Sequence, residues 1–179
     1  LFKLDPENKL LARQNRRRLD FEAARDSLLA ASGKLDVTMG GKPVDLFKAP
    51  FSTRRSVYGL IDRTNFPGVF RSFDVASPDQ HAPQRFQTTV PQQALFLMNS
   101  PFVTEQARAL ANRSEVAKAE TAAAKVTALY RLALGRNPAA DELALAEEFV
   151  ADADPKPAFG RWPQLAQVLL LSNEFAFVD

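Results

Sequence analysis

Residues 77–102 read SPDQHAPQRFQTTVPQQALFLMNSPF. Pro78 and Pro83 keep the first half out of regular structure, because proline lacks a backbone N–H and has a fixed φ. Pro91 then opens a helix over Gln92–Asn99, the position where a missing N–H costs least. Ala94, Leu95, Phe96, Leu97 and Met98 leave that helix with almost no polar stripe. A helix without a wet face is expected to be buried, and polar groups beside it must find partners. The stretch therefore predicts a buried polar network, which is either a site or bracing for irregular backbone.

Outward from this stretch the chain reads as helical. Ser100-Pro101 is an N-cap and N1 pair that starts a helix running to about Asn112. Val126, Leu129, Tyr130, Ala133 and Leu134 fall at helical spacing and Gly135 closes the run. Asn137-Pro138 restarts the chain into a helix over Leu143–Val150, and Trp162-Pro163 opens a final one after a break at Pro155–Pro157. Upstream, Phe21, Ala24, Leu28, Ala31 and Leu35 predict a helix from about Leu19 to Ser32 with Gly33 as its stop. Asp5-Pro6-Glu7 has the residues of a helix start. Residues 36–53, punctuated by Gly40, Gly41, Pro43 and Pro50, form a long excursion that is expected to be packed or functional. Val57, Tyr58, Leu60 and Ile61 put apolar groups on both faces, which predicts an internal strand over Arg55–Arg63. A short helical turn is expected around Pro67–Phe73. The fold class is mainly α: a helical domain with one or two short internal strands and long packed loops. Residues 1–113 are expected to form its core, and residues 114–179 a set of C-terminal helices packed on it.

Composition excludes several functions. With 179 residues, 46% of them apolar, the chain can bury one sizeable core. It has no cysteine and one histidine, His81, so thiol chemistry, thiolate metal sites and multi-histidine sites are ruled out. The expectation is no haem and no metal in this piece of chain. The net charge is only +2. Basic residues crowd the N-terminus at Lys9, Arg13, Arg16, Arg17 and Arg18, but almost no aromatics are interleaved, so nucleic acid is not an expected partner. No apolar run reaches the length of a membrane span. The chain opens on Leu1 without methionine and is read as part of a larger protein.

The candidate site is assembled from the polar groups around the apolar helix. Gln92 and Asn99 share a face, and so do Gln93 and Ser100. An unpaired amide group inside costs about 1–3 kcal/mol, so each needs a partner. Arg85, Thr88 and Thr89 lie just upstream, with Arg55, Asp62, Arg63 and Asn65 around the expected strand. Asp74 and Asp79 can accept from an arginine. Arg85 is expected to be substantially buried and bonded to Asp62, Asp74, Asp79 or backbone carbonyls. Arg55, Asp62, Arg63, Asn65, Asp74, Asp79, Arg85, Gln92, Gln93 and Asn99 are thus candidate ligand-binding residues for a polar or carbohydrate-like ligand. No catalytic motif is present.

Four blocks carry a family resemblance: NRRRLDFEAARDSLLAASGKLDVTMGG (15–41), RRSVYGLIDRTNFPGVFRSFD (54–74), SPDQHAPQRFQTTVPQQALFLMNSPFV (77–103) and LLLSNEFAFVD (169–179). Together they resemble planctomycete-specific domain one, the domain of unknown function fifteen-fifty-three. The resemblance implies the C-terminal domain of a large exported bacterial protein, in the cell envelope or secreted, that often also carries a cytochrome-c-like module. The implied partners are other domains of the same polypeptide. It transfers no catalytic residue. The function expected on these grounds is that of a non-catalytic packing or interaction domain. The alternative is one side of a ligand-binding or catalytic pocket completed by other domains.

Overall fold

The computed structural model describes residues 5–12, 14, 16–152 and 159–178. The chain is mainly α, as its periodicities predict. Strand β1 (Arg17–Arg18) leads into α1 (Phe21–Ala31), which ends where Gly33 adopts a φ of +75°. Short α2 (Gly68–Ser72) precedes α3 (Pro91–Asn99) and α4 (Pro101–Ala111), two helices separated by Ser100 alone and each opened by a proline. Next come α5 (Ser114–Ala117), α6 (Ala122–Leu134), α7 (Ala140–Ala151), α8 (Arg161–Leu170) and α9 (Asn173–Ala176). Strand β2 (Phe177–Val178) closes the described chain. It runs antiparallel to β1, with Arg17 opposite Val178 and Arg18 opposite Phe177.

Two apolar clusters hold these elements. The larger is built where α4 packs on α8, with α1, α5, α6 and α7 around them. Leu29, Val103, Leu110, Val126, Leu129 and Leu170 are fully enclosed there. The smaller is rich in phenylalanine: Phe21, Leu46, Phe70 and Val75 are buried, with Phe47, Phe66 and Phe73 packed against them. Phe21 meets Phe70 edge-on at 5.2 Å, a favoured aromatic geometry. The 36–53 excursion is packed in part: Leu46 enters this second cluster with Val44 and Phe47 beside it, whereas Val37 and Met39 stand exposed.

The structure corrects five expectations. Residues 55–63 are not an internal strand. Ser56–Tyr58 is a single 3₁₀ turn, and Val57, Leu60 and Ile61 are exposed. Tyr58 N–H bonds to Arg55 and Gly59 N–H to Ser56, which curls the chain before it can pair. Gly59 then makes one parallel bridge with Val44. A Cβ there would sit 2.5 Å from Leu46 Cδ1, so that close crossing needs glycine. The strands that do form, β1 and β2, lie at the surface and only partly buried. Asp5-Pro6-Glu7 starts turns and no helix, because the Asp5 carboxylate accepts from Lys9 N and Leu10 N and offers the backbone an alternative. Helix α3 forms as predicted but is not buried: Leu95 is 56% and Met98 59% exposed. Its enclosed residue is Gln93. Finally, α8 is followed by α9 where the last helix was expected, since Ser172 caps a new turn by accepting from Phe175 N. The break at Pro155–Pro157 lies outside the described residues.

Candidate functional site

The polar network is centred on Gln93, in the first turn of α3. Pro91 has no N–H, and Val90 has no side-chain acceptor for the next free ones, so the helix start is bound from within the turn. Gln93 Oε1 reaches back to Val90 N at 3.4 Å, the return half of a capping box. Its Nε2 donates to the carbonyls of Ser72 at 2.7 Å and Thr88 at 3.2 Å. Arg18 Nη1 donates to Gln93 Oε1 and, at 3.3 Å, to Thr88 O. One buried amide thus ties together β1, the end of α2, the irregular stretch and α3.

Asp74 provides the second tie. It adopts φ +56°, a region an Asp tolerates better than most residues. Its carboxylate accepts from Thr88 N at 2.7 Å and from Thr88 Oγ1 at 2.8 Å. Asp74, Thr88, Gln93, Arg18, Asp20 and Phe73 share the walls of one cleft of about 190 Å³.

The other candidates are placed elsewhere. Arg85 is held by a carboxylate, but by Glu22 of α1 and not by Asp62, Asp74 or Asp79. Its side chain is 37% exposed, so it is not substantially buried. The irregular stretch lies across the surface of α1, which leaves the guanidinium one wet side. Asp62 folds onto its own turn through Thr64 N and Oγ1. Arg63 lies 3.9 Å from Asp79 and donates to Pro78 O, all at the surface. Arg55 pairs with Asp26 at 3.4 Å. Asn65 and Gln92 are exposed, and Asn99 bonds back to Leu95 O within its helix. Of the ten residues, Asp74 and Gln93 share one cleft and Arg55 and Arg85 line another, beside Glu22 and Asp26.

Arg18 and Glu22 complete the arrangement, and Arg25 is a buried arginine outside it that fastens the Ser52–Ser56 segment. Arg25 carried a legible signal: it stands four residues from Phe21 and from Leu29, inside the apolar stripe of α1. Arg18 and Glu22 carried none, since their partners are 63 to 75 residues away.

Electrostatics follow the ion pairs. The hydrogen bonds from Arg85 hold the Glu22 carboxyl below its ordinary value, and Glu22 in turn raises Arg85. Turn bonds from Thr64 lower Asp62. Among the described residues every carboxyl with a displaced pKa is displaced downward. A general acid at neutral pH needs the opposite shift; these carboxyls are ionised there. No group of three His, Asp or Glu with metal-holding geometry occurs among the described residues. No helix among them is long and apolar enough to cross a membrane.

A family model described as PSD1, Protein of unknown function (DUF1553), matches residues 1–150. No curated protein and no solved structure matches the chain.

Proposed function

The chain belongs to the PSD1 (DUF1553) family, and from that premise we propose that it is a non-catalytic packing domain. Its docking element is α3, and the occupant is another domain of the same, larger polypeptide. One observation carries this reading: α3 is apolar nearly all round, yet Leu95 and Met98 stand open to solvent. Ala94, Leu97 and Met98 also form one wall of a groove whose far side is Val168, Leu171, Ala176 and Phe177. Exposed apolar surface of this kind marks an interaction face. Few large side chains are involved, which is little for association between free chains. It is enough for domains tethered in one polypeptide, where the effective concentration is high.

A photo-crosslinking residue at Met98 of the full polypeptide tests this. Cross-links are expected in segments outside these 179 residues. Cross-links confined to this domain, or to second copies of it, would overturn the proposal. The reading extends, on the family resemblance, to an exported polypeptide in the envelope or outside the cell; recovery of the protein in the cytoplasmic fraction would refute that part. It also includes no haem or transition metal held by this domain, because there is no cysteine and one histidine. Stoichiometric metal lost on replacing His81 would contradict it.

A further inference from the structure

Arg25 is a buried charge that the polar network does not use. It is 4% exposed, on the inner face of α1. Nη1 donates to Arg54 O at 3.1 Å and Ser56 Oγ at 3.3 Å, and Nη2 donates to Ser52 O. A guanidinium has five N–H groups, so Nε–H and one Nη2–H are left over. No carboxylate lies within ion-pair distance among the described residues. Asp26 acts on Arg25 through space, but its oxygens are taken by Arg55 Nε and Ser56 N. Burial pulls Arg25 below the ordinary arginine value, the direction expected when a cation is enclosed without its counter-ion.

Beside it lies a cavity of about 190 Å³ at the seam between the two apolar clusters. Phe21, Phe47, Phe51, Phe73, Phe96 and Phe102 line it. The Arg25 guanidinium stacks 4.7 Å from the Phe102 ring centre. The other polar side chain of the wall is Ser100, 7% exposed. Its hydroxyl sits at the N-cap of α4 but makes no cap hydrogen bond, and it has no partner among the described residues. Four features therefore converge: a buried arginine with no carboxylate partner, an uncapped hydroxyl on a buried serine, the N-terminus of an eleven-residue helix and a phenylalanine wall.

We propose that this cavity binds a small apolar carboxylate, with its carboxylate between Arg25 and the α4 N-terminus and its hydrocarbon body among the phenylalanines. A cavity of about 150 Å³ lined by apolar side chains accepts benzene, so the body is the size of one phenyl ring. Helix N-termini and arginines both favour anions. A phosphate is excluded by its second charge and its hydration, for which one arginine and one hydroxyl are too few partners. The cavity lies between α1, α3 and α4 and shares the Leu97 wall with the Val168 groove, but Arg25 and Ser100 lie outside that groove, so ligand binding and domain docking are tested by different residues.

The probe is 3-phenylpropanoate, with 3-phenylpropanamide and inorganic phosphate as controls, titrated into the full chain by calorimetry and followed by NMR on the phenylalanine rings. The carboxylate is expected to bind about tenfold or more tightly than the amide, the worth of a hydrogen bond to a charged group. Phosphate is expected not to shift the ring signals. Ser100→Ala should weaken the carboxylate severalfold and leave the melting temperature near that of the parent. Ala24→Leu, which fills the cavity without touching the loop that Arg25 fastens, should abolish binding. Equal binding of acid and amide, no binding of the acid at millimolar concentration, or undiminished binding by Ala24→Leu would each overturn the proposal.

Discussion

Arg85 and Glu22 form a two-bonded fork, with Nη1 to Oε2 at 2.8 Å and Nη2 to Oε1 at 2.7 Å, across 63 residues of sequence. The fork clips the irregular stretch before α3 onto the first turn of α1. Both side chains are about one-third exposed, so solvent screens the pair and its coupling is set at about 1 kcal/mol. The folded-state pKa of Glu22 is depressed. Its contribution is therefore fully present above the unfolded value of about 4.3 and is lost as pH falls through the lower folded value. A double-mutant cycle of Glu22→Gln and Arg85→Ala by urea unfolding should show the coupling at neutral pH and none in strong acid. A coupling that persists in acid would mean that packing, not charge, joins the two.

Gln93 is the amide that the local fold depends on. Gln93→Leu leaves the carbonyls of Ser72 and Thr88 without that donor and should cost about 2 kcal/mol. Gln92→Leu, at the exposed neighbouring position, should stay within about 0.5 kcal/mol. Equal effects in denaturant melts would show that the network is not centred on Gln93.

Helix α3 lies outside the core, and truncation should report that. Leu110→Ala, in a fully enclosed site, should cost about 2–5 kcal/mol. Leu95→Ala, at a side chain more than half exposed, should cost less than about 1 kcal/mol in this domain alone. The reverse order would contradict the packing described above.

Arg136 joins two segments by bonding both Glu142 of α7 and Glu174 of α9. Its hydrogen bonds, with one from Ala139 N, lower the Glu142 carboxyl to about 2. An NMR titration should find that midpoint, and Arg136→Gln should return it towards the ordinary range. The depressed value means that the stabilisation from Glu142 is present at neutral pH and fades only as pH drops from the unfolded value of about 4.3 towards about 2. A Glu142 midpoint above 4 in the parent chain would show that the fork does not form in solution.

The helices were legible because their signals are local. Proline at the first position, glycine in a left-handed cap and apolar residues at helical spacing all act within a few residues, and α1, α3, α4, α6 and α7 appear where those signals stand. The strand expected around Val57 shows where locality fails. Its two-faced apolar pattern suits an internal strand, but 3₁₀ hydrogen bonds and the crossing of Leu46 over Gly59 curl it instead. The apolar composition of α3 likewise said what the helix could bury, not whether anything covers it. For the site, the sequence marked the right stretch and the need for partners. It did not supply the partners, because Gln93 meets Arg18 and Arg85 meets Glu22 only through the fold.

By itself, then, the chain determined the main helices α1, α3, α4, α6 and α7, its lack of thiol and multi-histidine chemistry and its family. Those properties follow from residue identity and short-range spacing. The tertiary structure alone decided which charges pair, that Leu95 and Met98 face outward, and that Arg25 and Ser100 meet in one phenylalanine-walled cavity. Pairing and burial depend on which distant segments pack together, and that is a property of the whole fold rather than of any stretch within it.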